Sequence, residues 1–370
     1  MKYRRMSIEV ESPEQLGYKN LRCNLAESSV TDVKWKELGI ELGDLTLAYG
    51  DHKGNPQLRE FIAAMYPGIS SDDVLITAGA ASALFIVATS LLEKEDHLVV
   101  QFPNYATNLE TPFAIGCGIS KIETTFENGF QFSVEEVEKQ MKPNTRLISI
   151  TNPHNPTGTT ISQKTLEELI RLAENKNCFL LVDETYRDLV YGEKLPLAAT
   201  LSENVISVSS ISKAHGLPGI RIGWLITRNK KLQETFLAAK EQIFICNSGI
   251  DEEIAYQYLL SSETHNSRTK QHVAKNFSIV ENWIKQNDFF EWIPPTGGCV
   301  CFPRFKSEIK IDIELFYKTL NEKCGTFVGP GHWFGVEDRS MRIGFGWPSE
   351  NELREGLNHI LVAAKQAVKK

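Results

Sequence analysis

Ser210-Ile211-Ser212-Lys213 closes a strand-like run that begins at Val205, and Arg221 follows the lysine by eight residues. A lysine amine condenses with a carbonyl only when it is positioned and partly deprotonated. Two hydroxyls and a guanidinium beside it suit a phosphate dianion. The stretch therefore reads as a strand delivering a lysine that holds a phosphate-bearing aldehyde. A solvated surface lysine would account for Lys213 taken alone. Three other segments argue against it.

In the first, Asn152-Pro153-His154-Asn155-Pro156-Thr157-Gly158 follows the apolar run Leu147 to Ile150 and precedes a helical pattern from Gln163. Two Asn-Pro steps and a glycine impose a tight turn, at the strand end where ligands of open α/β sheets bind. In the second, Cys178-Phe179-Leu180-Leu181-Val182-Asp183-Glu184-Thr185-Tyr186 is a buried-strand pattern ending in two carboxylates. Such an acid is either a helix cap or a site residue that keeps a pyridine nitrogen protonated. In the third, Thr77-Ala78-Gly79-Ala80-Ala81 leads from the strand Val74 to Thr77 into an apolar helix ending near Leu92. Small residues at a helix start let backbone N-H groups approach an anion, which places Gly79, Ala80 and Ala81 under the phosphate.

Asn-Pro-Thr-Gly, Asp-x-x-Tyr and Ser-x-Ser-Lys with its later arginine are weak signals singly and strong in this order. Together they resemble the class I/II aminotransferases, pyridoxal-phosphate enzymes of fold type I, from about Leu45 to Trp347. The resemblance implies that Lys213 is the Schiff-base lysine and general acid/base and that Asp183 pairs with the ring nitrogen. Asn155 and Tyr186 would bind the phenolic oxygen, Ser210 and Arg221 the phosphate, with Ser212 fitting the same motif. Tyr105, in Phe102-Pro103-Asn104-Tyr105, matches the ring that stacks on the cofactor, and Tyr49 matches a tyrosine that reaches the phosphate of the neighbouring subunit. That last contact makes a homodimer the expected assembly. Arg342, in Ser340-Met341-Arg342-Ile343-Gly344, matches the clamp of the substrate α-carboxylate. A planar guanidinium suits that task.

The implied activity is transfer of an amino group between an L-amino acid and a 2-oxo acid. A carbon-sulfur lyase, or another elimination or decarboxylation enzyme of the same fold, is the alternative, because the Asn-Pro-His-Asn-Pro form also looks like such lyases. A cofactor-free binding descendant of the fold has no reason to keep Lys213, Asp183 and Arg221 together. Tyr18 and Glu27 are further pocket candidates, Arg187 is a subgroup candidate and His154 a loop histidine. All four are read as structural.

With 370 residues and 42% apolar content the chain can build a large core, and its charge of -7 with scattered basic residues argues against a nucleic-acid or membrane-surface role. No run of about 18 apolar residues is present. The N-terminus lacks the apolar stretch of a secretory signal, and seven cysteines without regular spacing point to the reducing cytoplasm. No histidine pattern suggests a metal. Strands and helices alternate through Val74 to Thr227, the sign of a mostly parallel sheet between helices. A helical hairpin is expected from Gln233 to Gln286, and an α+β pattern after Pro294-Pro295. The expected division is an N-terminal arm and part of a small domain at 1–39, a large cofactor-binding domain at 40–290 and a small α+β domain completed by 291–370. Ser133 and Ser349 each open an expected capping box.

Overall fold

A computed structural model of the protein describes residues 1–369. Its strands are β1 (Cys23–Leu25), β2 (Val74–Thr77), β3 (His97–Phe102), β4 (Gly118–Glu123), β5 (Thr145–Thr151), β6 (Phe179–Asp183), β7 (Val205–Ser210), β8 (Gly223–Ile226), β9 (Phe290–Glu291), β10 (Val300–Cys301), β11 (Arg304–Phe305), β12 (Thr326–Pro330) and β13 (Met341–Gly344). Seven of them form one sheet in the order β2-β8-β7-β6-β5-β3-β4, in which only β8 runs against its neighbours. The fold is α/β, as expected.

Neighbouring residues of the central strands serve opposite cores. Val100, Leu147 and Leu181 pack with Leu84, Val87 and Phe236 on one face, whereas Val99, Ile148 and Leu180 pack with Leu166 and Leu169 on the other. A parallel strand covered by helices on both sides has no solvent face, so its sequence reads as a continuous apolar run. This is why β5, β6 and β7 were legible. The edge strand β4 was not read from the sequence, because only Ile122 of Gly118–Glu123 is buried and its alternation is blurred by polar residues.

The second sheet has the order β1-β12-β13-β10 and joins the two ends of the chain through parallel pairing of Cys23 with Thr326. Leu353, Leu357 and Ile360 of the last helix, Glu350–Ala367, pack with Leu25, Ile343 and Phe345, while Leu361 is half-buried. Ser133 heads its helix with the full capping box. Ser349 accepts from the Glu352 N-H at 3.3 Å, but the box is incomplete: the Glu352 carboxylate instead takes the Asn24 N-H at 2.9 Å. That bond ties the last helix to β1, which a local reading cannot see.

The expected helical hairpin is also different in form. Helix Lys230–Phe244 stops at Ile245, whose φ is +52° and ψ −72°, and Ser248 caps a new helix, Gly249–Lys285. At about 1.5 Å per residue this helix reaches about 55 Å. Its first half packs Ala255, Tyr258 and Leu259 by β2 and β8, its second half Val273, Val280 and Ile284 into the core of the second sheet. Buried Asn276 secures the far half by donating to the carbonyls of Phe345 (2.8 Å) and Pro348 (2.9 Å).

Candidate active site

The carboxyl ends of β5, β6 and β7 open on a cavity of about 360 Å³ whose lining includes Thr151, Asp183, Ser210 and Lys213. At its base Asp183 is buried, and its Oδ1 accepts from the Thr185 N-H (3.0 Å) and hydroxyl (2.6 Å). Burial raises the pKa of this carboxyl above the ordinary range, and the Thr185 bonds only partly oppose it. The turn bonds are thus those of a local cap, while the other oxygen remains for a ligand. A buried carboxylate of this kind needs a cationic or N-H partner.

On one flank, helix Gly79–Leu91 begins without a side-chain cap, so its first N-H groups are free to meet an anion. Ala80 and Ala81 line the cavity, and Gly79 does not. Gly79, with φ +80°, lies behind them. A Cβ there would overlap the Arg221 guanidinium, and one at Gly223 would overlap the Gly79 carbonyl carbon. Arg221 itself adopts the left-handed conformation with φ +53°, a local strain of the kind that clusters at functional sites. Its Nη1 donates to the Pro218 carbonyl (2.8 Å) and, more weakly, to Ser212 Oγ (3.5 Å). Ser210, Ser212, Lys213 and Arg221 therefore share one wall with the helix N-terminus. Pyridoxal phosphate fits this donor set: an uncapped helix start, two serine hydroxyls and a guanidinium surround the place for a phosphate, and an isolated buried carboxylate stands at the base.

Arg342 also lines the cavity. Its Nη1 donates to Asn155 Oδ1 at 3.1 Å and its Nη2 to the Ala26 carbonyl at 2.7 Å, while the buried Nε has no hydrogen-bond partner. An orphaned guanidinium N-H in a cavity wall is a donor waiting for an acceptor. Tyr186 lines the cavity but gives its proton to the Ser28 carbonyl (2.8 Å), and burial raises its phenol pKa. Its oxygen is thus an acceptor in this structure. Tyr105 is half-buried in the wall, with its hydroxyl 3.4 Å from Glu9 Oε1 and its pKa raised to about 12 by burial and then by Glu9. Tyr49 is not brought to the cavity of its own chain and is 84% exposed.

Glu27 and Tyr18 do line the cavity, whereas Arg187 pairs with Glu184 at 3.0 Å away from it. The sequence reading missed the N-terminal arm, which supplies Ile8, Glu9, Ser12, Pro13 and Glu14, and it missed Asp32 and Trp333. No motif marks the arm. Its only local cue is Ile8, which packs with Trp333 and Phe334, while Glu11 accepts from the Trp333 indole at 2.7 Å.

His154 is buried outside the cavity, between the Pro103 carbonyl (2.7 Å from Nε2) and Thr157 Oγ1 (2.8 Å from Nδ1). Burial lowers its pKa from 6.5 to about 4. The imidazole stays neutral in the fold and protonates in the unfolded chain, so its contribution is complete above the unfolded value and is lost as pH falls toward the folded one. Between about pH 7 and pH 5 the apoenzyme is expected to lose roughly 2 kcal/mol more than the His154→Gln variant, as read by urea unfolding. Equal losses would contradict a neutral buried imidazole.

The family model of aminotransferase class I and II matches residues 20–360. Capreomycidine synthase of Streptomyces vinaceus is 29% identical over 320 residues, covering 86% of this chain and 81% of that protein. An aspartate aminotransferase of Thermotoga maritima is likewise 29% identical over 320 residues, covering 84% and 82%. Among solved structures, a PLP-dependent aminotransferase from Streptococcus suis superposes over 100% of both chains with a TM-score of 0.91 at 25% identity. With its cavity at the strand ends and its matched length, the chain belongs to the class I and II aminotransferases and is a pyridoxal-phosphate-dependent enzyme of fold type I.

Proposed function

We propose that the chain transfers an amino group between an L-amino acid and a 2-oxo acid, with Lys213 as the amine that holds the cofactor and then moves the Cα proton. The observation that carries this reading is the convergence of Lys213, Asp183, Arg221 and Arg342 on one cavity. When bound, pyridoxal phosphate supplies an aldehyde that takes the amino group and a ring that spreads the charge left at Cα. Asp183 would accept the ring nitrogen's N-H as a hydrogen bond and so keep that nitrogen cationic. Ser210, Ser212, Arg221 and the N-H groups of Ala80 and Ala81 would hold the phosphate, with Gly79 making room for the guanidinium.

Arg342 takes the α-carboxylate through its fork and its free Nε-H, which orients the Cα-H bond toward Lys213 Nζ. Asn155 fixes the Arg342 fork through its Oδ1 and would offer its Nδ2 amide to the phenolic oxygen of the cofactor, toward which Tyr186 would turn the proton it gives to Ser28 in this structure. Tyr105 would cover the ring, and the N-terminal arm would exclude water from the mouth. A homodimer in which Tyr49 of the partner subunit completes the phosphate site is part of the same reading, supported by the exposure of this residue. So is the division into an arm and small domain at 1–39 and 291–370 around a large domain at 40–290. Seven unpaired cysteines support a cytoplasmic enzyme. No helix among the described residues is long and apolar enough to cross a membrane.

Mixing the holoenzyme with a panel of amino acids, without and then with a 2-oxo acid, tests the assignment. Amino transfer predicts conversion of the aldehyde absorbance to that of the amine form in the first step and its return in the second. Release of ammonia and pyruvate from cysteine-type substrates, with no amine form, would assign a lyase instead.

A further inference from the structure

The substrate pocket is acidic beyond the needs of the cofactor. Its lining holds the cations Lys213, Arg221 and Arg342, and the reading above commits all three to the aldehyde, the phosphate and the α-carboxylate. Four carboxylates remain beside Asp183, namely Glu9, Glu14, Glu27 and Asp32. Three of the four have neutral aromatic donors as partners: Tyr18 donates to Glu27 at 3.0 Å, the Trp347 indole to Asp32 at 3.0 Å and Tyr105 to Glu9 at 3.4 Å. Tyr18 and Trp347 stack with ring centres 6.1 Å apart, so one aromatic pair fixes two of the acids. The acids also sense one another, since the Glu27 charge adds to burial in raising the Asp32 pKa.

Two residues of the lining each carry a buried polar atom that lacks a partner. Ser12 is 5% exposed and Arg342 3%, and neither Ser12 Oγ nor Arg342 Nε has a hydrogen-bond partner. The first is free to accept from an N-H group and the second must donate. An amino acid carrying a carboxylate at one end and a cation at the other satisfies both.

We propose that the amino donor is an L-amino acid whose side chain ends in an ammonium or guanidinium group, held by Glu9, Glu27 and Ser12. This rests on the aminotransferase reading and deepens it. Like charges juxtaposed across a pocket select against the wrong ligand as strongly as paired charges select the right one, so a dicarboxylic amino acid is rejected. The donor's α-amino group is the one transferred. Its product is the 2-oxo acid bearing the same distal cation.

The test is a single-turnover comparison of the holoenzyme with L-arginine, L-lysine, L-norleucine and L-glutamate. The better of the two cationic substrates should exceed norleucine by about tenfold or more and glutamate by about a hundredfold in rate divided by half-saturation. Glu27→Gln and Glu9→Gln should each cut the ratio of cationic to neutral substrate about tenfold, whereas misfolding would lower both substrates together. Norleucine or glutamate matching arginine and lysine, or ratios unmoved in both variants, would overturn the proposal and leave amino transfer intact. If none of the four is converted, amino transfer itself loses support. Calorimetric binding to Lys213→Ala holoenzyme then decides the pocket question: arginine or lysine binding tighter than norleucine supports it, and equal binding overturns it.

Discussion

Replacing Lys213 with alanine is expected to lower the amino-transfer rate about 10⁴-fold, the upper range for removing a positioned proton carrier. The expected loss is confined to chemistry. The Lys213 backbone carbonyl, which accepts the Val30 N-H at 3.0 Å, is untouched by the change. The side chain is half-buried in the cavity wall rather than packed in a core. The thermal midpoint of the apoprotein should therefore stay within about 2 °C of wild type. Borohydride should fix the cofactor to the wild-type chain and not to the variant, as mass spectrometry would show. A small free amine added to the variant should recover part of the rate, because it can occupy the vacated position and move the same proton. A variant keeping even a tenth of the wild-type rate would remove Lys213 from the centre of the reaction.

Arg342→Met is expected to lower kcat/KM for an amino acid about 10³-fold. Removing one member of a buried charged pair costs about 3–5 kcal/mol, and each 1.36 kcal/mol is a decade in rate. The arginine also satisfies Asn155 Oδ1 and the Ala26 carbonyl, so part of the loss comes from disordering the wall. Two comparisons separate these effects. Arg342→Lys keeps the charge but cannot reproduce a planar fork, and it should lose about 10²-fold. The preference for an amino acid over the corresponding amine, which lacks the carboxylate, should shrink in both variants by about the same factors. Disorder alone would weaken amino acid and amine alike, so an unchanged preference would refute the carboxylate role.

Much of this side of the cavity was readable because each part carries its signal within a few residues. Asp183 ends an apolar strand, Lys213 follows a serine-rich one, and Gly79 introduces a helix. In each case a strand end in a parallel sheet must stop in the crevice where ligands bind. Gly79 shows the limit of such reading. The turn needed a glycine, but its reason is the Arg221 guanidinium that lies against it from 142 residues further along the chain. Tyr186 shows another: the Asp-x-x-Tyr spacing delivers the ring to the cavity, yet its proton goes to Ser28, which no spacing predicts.

The character of the central strands and the placing of Asp183, Lys213 and the small-residue helix start at strand ends were determined by the sequence itself, since strand burial and turn chemistry are local. The choice of substrate belongs to the tertiary structure. Pairing of Cys23 with Thr326 brings Ala26 and Glu27 beside Arg342, and docking of Ile8 on Trp333 brings Glu9 and Ser12 over the mouth. These segments carry no motif, because a carboxylate in an exposed arm becomes a selective wall only when packing sets it opposite charges from distant parts of the chain.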